Sequence, residues 1–378
     1  MDFLTFMQSL GFDTWPQRWE DWYPEVQKEY DSQGCIWTDA APYAALEAKY
    51  GCFGSWLEPY QQAAQELSQH PDWTVLLMLM ARSLADPARR AEDVAAMPKI
   101  LTDPPTTMPL SYRMLPGLAI CTQLEATARL LTARHLPPEQ FADAISAPAR
   151  CAGTYQRLHH GMIGYDHLKW ALRHLDGKLF HIGILEIEML SVFREDAAAF
   201  RGADGSIRVL WQPVRTEQGW KGLLCSGLGE TAQEETLLDA SDWQPVLQQG
   251  DSVIRLHIPR NHRLLPQAVD ETLSQAKDFA KTCFPELDCR AFVCGSWLLS
   301  TQLPEILDES TNIVQFSRRF FRLHPSGTGN AVFNFIFCTP MNEVVLENLP
   351  ERTSLERGLK QYYLSGQRVI EQEGFILI

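Results

Sequence analysis

The hydrophobic period of this chain changes once, near Gly177, so the chain must build two different kinds of structure. Over the first 175 residues apolar side chains recur at intervals of three and four, as in YAALEAKYGCFGSWLEPYQQAAQELSQ and TVLLMLMARSLADPARRAEDV. These stretches are rich in Ala, Leu, Glu and Gln, which lose little rotamer freedom in a helix. MLPGLAICTQLEATARLLTARH continues the pattern, and a Pro-Pro start introduces PPEQFADAISAPARCAGTYQRLHH. Proline-containing breaks near Asp103 to Pro105, and at Pro137 and Pro138, separate these elements. Residues 1–176 therefore read as a helical bundle.

Past Gly177 the period shortens to two. In KLFHIGILEIEML, Phe180, Ile182 and Ile184 share one phase and Leu185, Ile187 and Met189 the other. A slip of phase between Ile184 and Leu185 predicts a β-bulge, or a strand contacted on both faces. SIRVLWQPV and KGLLCSG, flanking RTEQGW, predict a hairpin. A strand SVIRLHIP, a helix from Pro266 to about Cys283 and a strand RAFVCGSWLL follow. After a helical stretch come NAVFNFIFCT, a helix around SLERGLKQYYLSGQRV and a terminal GFILI. Hairpins first and strand–helix alternation later predict a mixed α/β sheet over 177–378, and an α+β chain of two domains overall.

Composition removes several function classes. With 45% hydrophobic and 21% charged residues, the chain has enough apolar mass for real cores. Its 47 acidic residues against 33 basic ones argue against a general nucleic-acid binder, which needs a broad basic surface. The cluster RRFFR, Arg318 to Arg322, reads as the solvated edge of an amphipathic helix. Nine cysteines form no C-x-x-C pair, and the spacing of Cys283, Cys289 and Cys294 fits no common zinc pattern. Neighbouring His159 and His160 would point apart on a helix, which speaks against a metal pair. Free thiols suit a reducing compartment. MDFLTFMQSLGFDTW lacks the basic start of a signal peptide, and WTVLLMLMA falls far short of the roughly 20 apolar residues that span a bilayer. A soluble cytoplasmic protein, with no membrane, nucleic-acid or metal partner, is the expectation.

Against this acidic background SVIRLHIPRNHRLLPQAV, Ser252 to Val269, is an exception. It carries Arg255, Arg260, Arg263, His257 and His262, and no acid. Val253 to Ile258 predict a buried strand that Pro259 ends, and Pro266 opens a helix at a position where its missing N–H is harmless. Leu265, just before it, offers no side-chain oxygen as a cap, so the first backbone N–H groups lack an internal partner. Helix dipole and guanidinium groups then converge on one anion-binding corner. The alternative is a hydrated helix end with surface arginines, Arg255 pairing with Asp251.

VIRLHIPRNHRLLPQAVDETLSQAKDFAKTCFPE, followed by FVCGSWLLS and STNIVQFSRRFF, resembles the C-terminal domain of bacterial GNAT-like acyltransferase proteins. YRMLPGLAI through WALRHLDGKLFHIGILEIEM resembles the helical N-terminal domain that accompanies it. The most specific pieces are His257-Ile258-Pro259 and Cys294-Gly295-Ser296-Trp297-Leu298-Leu299. The resemblance implies a donor acyl-coenzyme A, in the simplest case acetyl-CoA, and a small-molecule amine or peptide acceptor chosen by the helical domain. It implies that the turn after the central strand receives the CoA pyrophosphate, through Ile258, Arg260, Asn261, Arg263, Leu265 and Gln267. The glycine-rich form of that turn, Q/R-x-x-G-x-G/A, is absent here. Arginine side chains would replace backbone contacts, or the chain is a non-catalytic GNAT-fold binding or regulatory module.

Acyl transfer to an amine needs a base, a polarised thioester carbonyl and a proton for the leaving thiolate. His257, at the end of the central strand, is the candidate base; its other reading is a structural histidine fixing the Pro259 turn. Cys294 and Ser296 share one strand face and are candidates for protonating the sulfur or orienting the carbonyl. Cys294 also reads as a small core residue. Glu188, with Glu186 beside it on one face, is a further candidate base, or simply a solvent-facing acid. A thiol hydrolase built from Cys294 and His257 is a third reading, with no evident orienting acid.

Overall fold

A computed structural model describes residues 1–260, 262–339, 341 and 344–378. The chain divides into two compact units, Met1–Phe180 and His181–Ile378. The first 175 residues are helical, a mixed-sheet domain follows, and the chain is α+β.

In the helical unit, Pro71–Leu84 is the central element: Val75, Leu76, Leu77, Leu79, Met80 and Leu84 are all buried. A helix apolar on nearly every side belongs inside a bundle. Tyr60 and Tyr155 bury their rings and donate their hydroxyls to the carbonyls of Pro148 and Pro104, each at 3.1 Å, so neither burial leaves a polar atom stranded. Among the described residues no helix is long and apolar enough to cross a membrane.

The described residues form eleven strands, the first of them crossing the boundary between the units: β1 (Leu179–Ile182), β2 (Leu185–Val192), β3 (Ala197–Gly202), β4 (Ile207–Arg215), β5 (Gly219–Cys225), β6 (Thr231–Asp239), β7 (Trp243–Leu247), β8 (Ser252–His257), β9 (Ala291–Ser296), β10 (Phe321–Thr328) and β11 (Ile370–Leu377). One sheet has the order β1-β2-β8-β9-β11-β10, the other β6-β5-β4-β3-β7. The expected hairpin is β4 paired with β5. Phe193, Val209, Leu247, Val253, Val293 and Phe375 form one buried cluster that draws on both sheets. Fully burying each such large apolar side chain is worth about 1.5–3 kcal/mol.

β8 and β9 run parallel, and the helix Pro266–Cys283 makes the crossover between them. Val269, Ala276, Ala280 and Cys283 are buried along it, at helical spacing.

Three expectations change. The phase slip at Ile184 is not a bulge. Gly183 and Ile184 form the turn between β1 and β2, so the chain reverses there and the phase restarts. Gly183 has φ +57, and a Cβ on it would meet Thr272 Oγ1 at 2.2 Å. That hydroxyl accepts from Ile184 N, which ties the turn to the crossover helix. A bulge does exist further along β2, where the register against β8 shifts between Glu188 and Ser191. NAVFNFIFCT forms no strand; Phe333–Phe337 winds into a π-helical turn whose two end rings are both buried. The strand lies earlier, in FRLHPSGT, where Pro325 and Gly327 obscure the alternation and sit at register shifts on an edge strand. RRFFR is therefore not a solvated helix edge: the helix ends at Ser317, and Arg322 is 8% exposed within β10.

Candidate active site

β8 and β9 are paired only from Val253↔Ala291 to Arg255↔Val293, although the strands continue to His257 and Ser296. Past Arg255 the partnerships are on the outer sides: Glu186↔His257 on β2 and Ser296↔Gln372 on β11. The sheet therefore splits between its two central parallel strands at their C-terminal ends, where open α/β sheets place ligands.

Strand alternation and register put Glu186, Glu188, Arg255, His257, Gly295 and Glu373 on one face at this split. His257 Nε2 lies 2.8 Å from Glu188 Oε2. Their side chains are 21% and 14% exposed, which shelters the pair yet leaves it open to a substrate. With Nε2–H donating to the carboxylate, the neutral tautomer carries its lone pair on Nδ1. The bulge beginning at Glu188 bends β2 at this point.

Arg255 donates from Nη1 to both oxygens of Glu373, at 3.0 and 3.3 Å. Asp251 is not its partner; that carboxylate accepts from Gln248 N instead. Gly295 makes the arrangement possible, since a Cβ there would lie 2.3 Å from Glu373 Oε1. Glu195 belongs to the same charged neighbourhood. Burial raises its pKa, Glu373 raises it further, and Arg255 opposes both. Sequence reasoning named Gly295 only as part of a motif, without this role, and missed Glu373 and Glu195; the alternating acids of IEQEGFIL were the available signal for Glu373.

Cys294 and Ser296 alternate onto the other face. Cys294 is 1% exposed, and burial pushes its thiol up to about 12, too high for a nucleophile or a ready proton donor near neutrality. The orienting acid that the hydrolase reading lacked does exist, as Glu188. Cys294 does not share a face with His257, however, and the hydrolase reading fails on that geometry. Ser296 Oγ accepts from Leu298 N at 3.1 Å and caps the short 3₁₀ turn Trp297–Leu299.

The turn after β8 leads to a helix start without a side-chain cap: Leu265 is extended and supplies no oxygen. Leu264 is buried and pins the turn, Ile258 is half-buried, and Arg260, His262, Arg263, Leu265 and Gln267 are exposed. Asn261 lies outside the described residues. Arg260 donates to Cys338 Sγ, and Gln267 donates to Glu271 one turn along at 2.8 Å. The rings of His262 and His181 meet edge-on at 5.4 Å. Arg319 donates to Pro266 O at 3.1 Å and pairs with Asp270, placing a further cation at this helix start.

In the helical unit His159 follows a helix end, 3.8 Å from Asp166, and no cluster of three or more metal-ligating side chains exists among the described residues.

Known structures share this architecture. An acyltransferase in complex with decanoyl-CoA and teicoplanin aligns over 100% of this chain and 99% of its own, at TM-score 0.66 and 22% identity. An acyltransferase mutant in complex with octanoyl-CoA aligns over 100% of both chains, at TM-score 0.67 and 21% identity. A third, an acyltransferase with CoA and 10C-teicoplanin, aligns over 100% of this chain and 99% of its own, at TM-score 0.67 and 21% identity. No curated protein matches the chain. Residues 179–376, more than half of the chain and all of the strands that form the split, match the family described as GNAT-like C-terminal domain, and the protein belongs to that family.

Proposed function

We propose that the protein is an acyl-CoA-dependent N-acyltransferase, with its reaction centred on His257 and Glu188. The observation that carries this reading is a 2.8 Å imidazole–carboxylate pair at the point where two parallel strands part. Family membership and the fold shared with acyltransferases held with acyl-CoA support it.

In this reading the CoA pyrophosphate sits at the uncapped start of the Pro266–Cys283 helix, with Arg260 and Arg263 adding charge-assisted contacts. Arginines on an exposed turn take the part that close backbone approach plays in a glycine-rich one. The thioester enters the gap between β8 and β9. The acceptor amine attacks the thioester carbonyl carbon, forming the C–N bond as the C–S bond breaks. His257 takes the proton that the nitrogen sheds, Glu188 stabilises the resulting imidazolium, and the departing thiolate is reprotonated. The products are an amide and free CoA.

The acceptor is a small-molecule amine or an amine-bearing peptide. Teicoplanin, found with two of the similar structures, makes a peptide-based amine the first class to test. The experiment follows CoA thiol release from acetyl-, octanoyl- and decanoyl-CoA against a panel of amines. Amine-dependent release that His257→Ala abolishes supports the reading. CoA binding without release, for any acceptor, would leave the chain a non-catalytic module of the same fold.

A further inference from the structure

Arg322 presents a different problem from the arginines of the exposed turn. It lies in β10, 8% exposed, and its Nε is buried without a hydrogen-bond partner. Among the described residues its side chain makes one hydrogen bond, from Nη1 to Ser317 Oγ at 3.3 Å, and no ion pair. Ser317 is 2% exposed, and its own hydroxyl finds no acceptor among the described residues. Two buried donors thus stand side by side.

The acids of the surrounding segment are engaged elsewhere. Glu309 pairs with Arg318, Asp270 with Arg319, and Asp308 accepts from Ser310. Burial and the charge of Arg318 both disfavour the charged guanidinium, and no carboxylate among the described residues offsets them. An arginine remains protonated regardless. A buried, unpaired charge is strongly unfavourable, so such a site is stable once an anion completes it.

We infer that Arg322 and Ser317 form an oxyanion site that takes a phosphate group, with the guanidinium fork and the serine hydroxyl as its donors. Its place in the chain favours phosphate. Arg319, three residues before Arg322, grips Pro266 O and Asp270 near the start of the helix assigned above to the CoA pyrophosphate. Free phosphate and a phosphate of CoA share this chemistry. The CoA assignment rests on the proposed acyltransferase function; the phosphate site does not.

The test uses the full-length protein, with inorganic phosphate, CoA and 3′-dephospho-CoA as probes in thermal shift and calorimetric titration. Arg322→Met removes the charge at similar volume. In phosphate-free buffer it is expected to melt at or above the wild-type temperature, because an uncompensated charge is gone. Phosphate should stabilise the wild type but not the variant, and CoA should bind the variant about 10- to 100-fold more weakly. Ser317→Ala, which removes the second donor with little risk to the fold, should weaken phosphate binding without lowering the melting temperature. If dephospho-CoA binds the wild type as weakly as CoA binds Arg322→Met, the 3′-phosphate is the occupant. If CoA and dephospho-CoA lose equally in the variant, it is the pyrophosphate. Stabilisation by phosphate alone, with CoA inert, keeps the site and overturns the acyltransferase reading. A lowered melting temperature of Arg322→Met in phosphate-free buffer overturns the inference, since the guanidinium would then be paired within the fold. Equal affinity of wild type and both variants for phosphate overturns it as well.

Discussion

A Cβ on Gly295 would lie 2.3 Å from Glu373 Oε1, so the glycine is the space that a carboxylate occupies. That carboxylate holds Arg255, two residues before His257 on β8. Gly295→Ala should therefore displace Glu373 and loosen Arg255, destabilising the protein by about 1–3 kcal/mol, as small-to-large changes in packed sites do. Denaturant unfolding measures this. The penalty should shrink when Glu373 is already alanine, because the clash no longer exists. A full penalty in the double variant would mean that Gly295 serves the backbone and not the carboxylate.

If His257 is the proton acceptor, His257→Ala should lower kcat by about 10²- to 10⁴-fold while leaving CoA affinity nearly unchanged. Glu188→Gln should fall between the wild type and that variant, since an amide can still hold the ring but cannot offset the imidazolium's charge. Steady-state kinetics alongside calorimetric CoA binding separates the two quantities. A His257→Ala variant with normal turnover returns the histidine to a structural role at the Pro259 turn.

Cys294 provides the converse test. Its buried thiol, pushed up to about 12, is almost wholly protonated between pH 7 and 9. Cys338 is exposed, with the Arg260 guanidinium beside it. A thiol reagent should therefore label Cys338 rapidly and Cys294 only on unfolding, and Cys294→Ala should keep wild-type turnover. Peptide mapping of the labelled protein distinguishes the two positions. Fast labelling of Cys294 in the folded protein would restore it as a chemical candidate.

The order of elements was readable because each depends on local periodicity. Pro266 at a helix start, Val269 and Ala276 at helical spacing, and the β4–β5 hairpin all carry their own signals. The β10 strand was hidden because Pro325 and Gly327 interrupt its alternation, while Phe333 and Phe337 mimic a strand and form a helical turn. At the site, His257 and Glu188 were both visible as candidates. Their contact was not, because it spans 69 residues and depends on which strands become neighbours. Arg255 shows the same limit. Asp251 is the nearest acid in sequence, whereas its partner Glu373 is 118 residues away on another strand. Cys294 and His257 were both candidates in the sequence, and strand pairing puts them on opposite faces.

His174 offers a test of the helical unit that owes nothing to catalysis. It is 4% exposed, and Arg150 Nη2 lies 3.3 Å from its Nδ1. Burial, then the charges of Arg150 and Arg173, hold its pKa well below the ordinary histidine value. In the folded state the imidazole is therefore neutral where the unfolded chain would already bind a proton. Its stabilising contribution is complete above the unfolded pKa of about 6.5 and is lost as the pH falls below it, by at most about 1.4 kcal/mol per pH unit. His174→Gln retains an acceptor for Arg150 but cannot titrate, so its stability should fall less steeply between pH 7 and pH 5 than that of the wild type. Denaturant midpoints at half-unit pH steps measure both slopes. Identical slopes would mean that the ring accepts a proton without unfolding its surroundings, and that the two arginines move aside to let it.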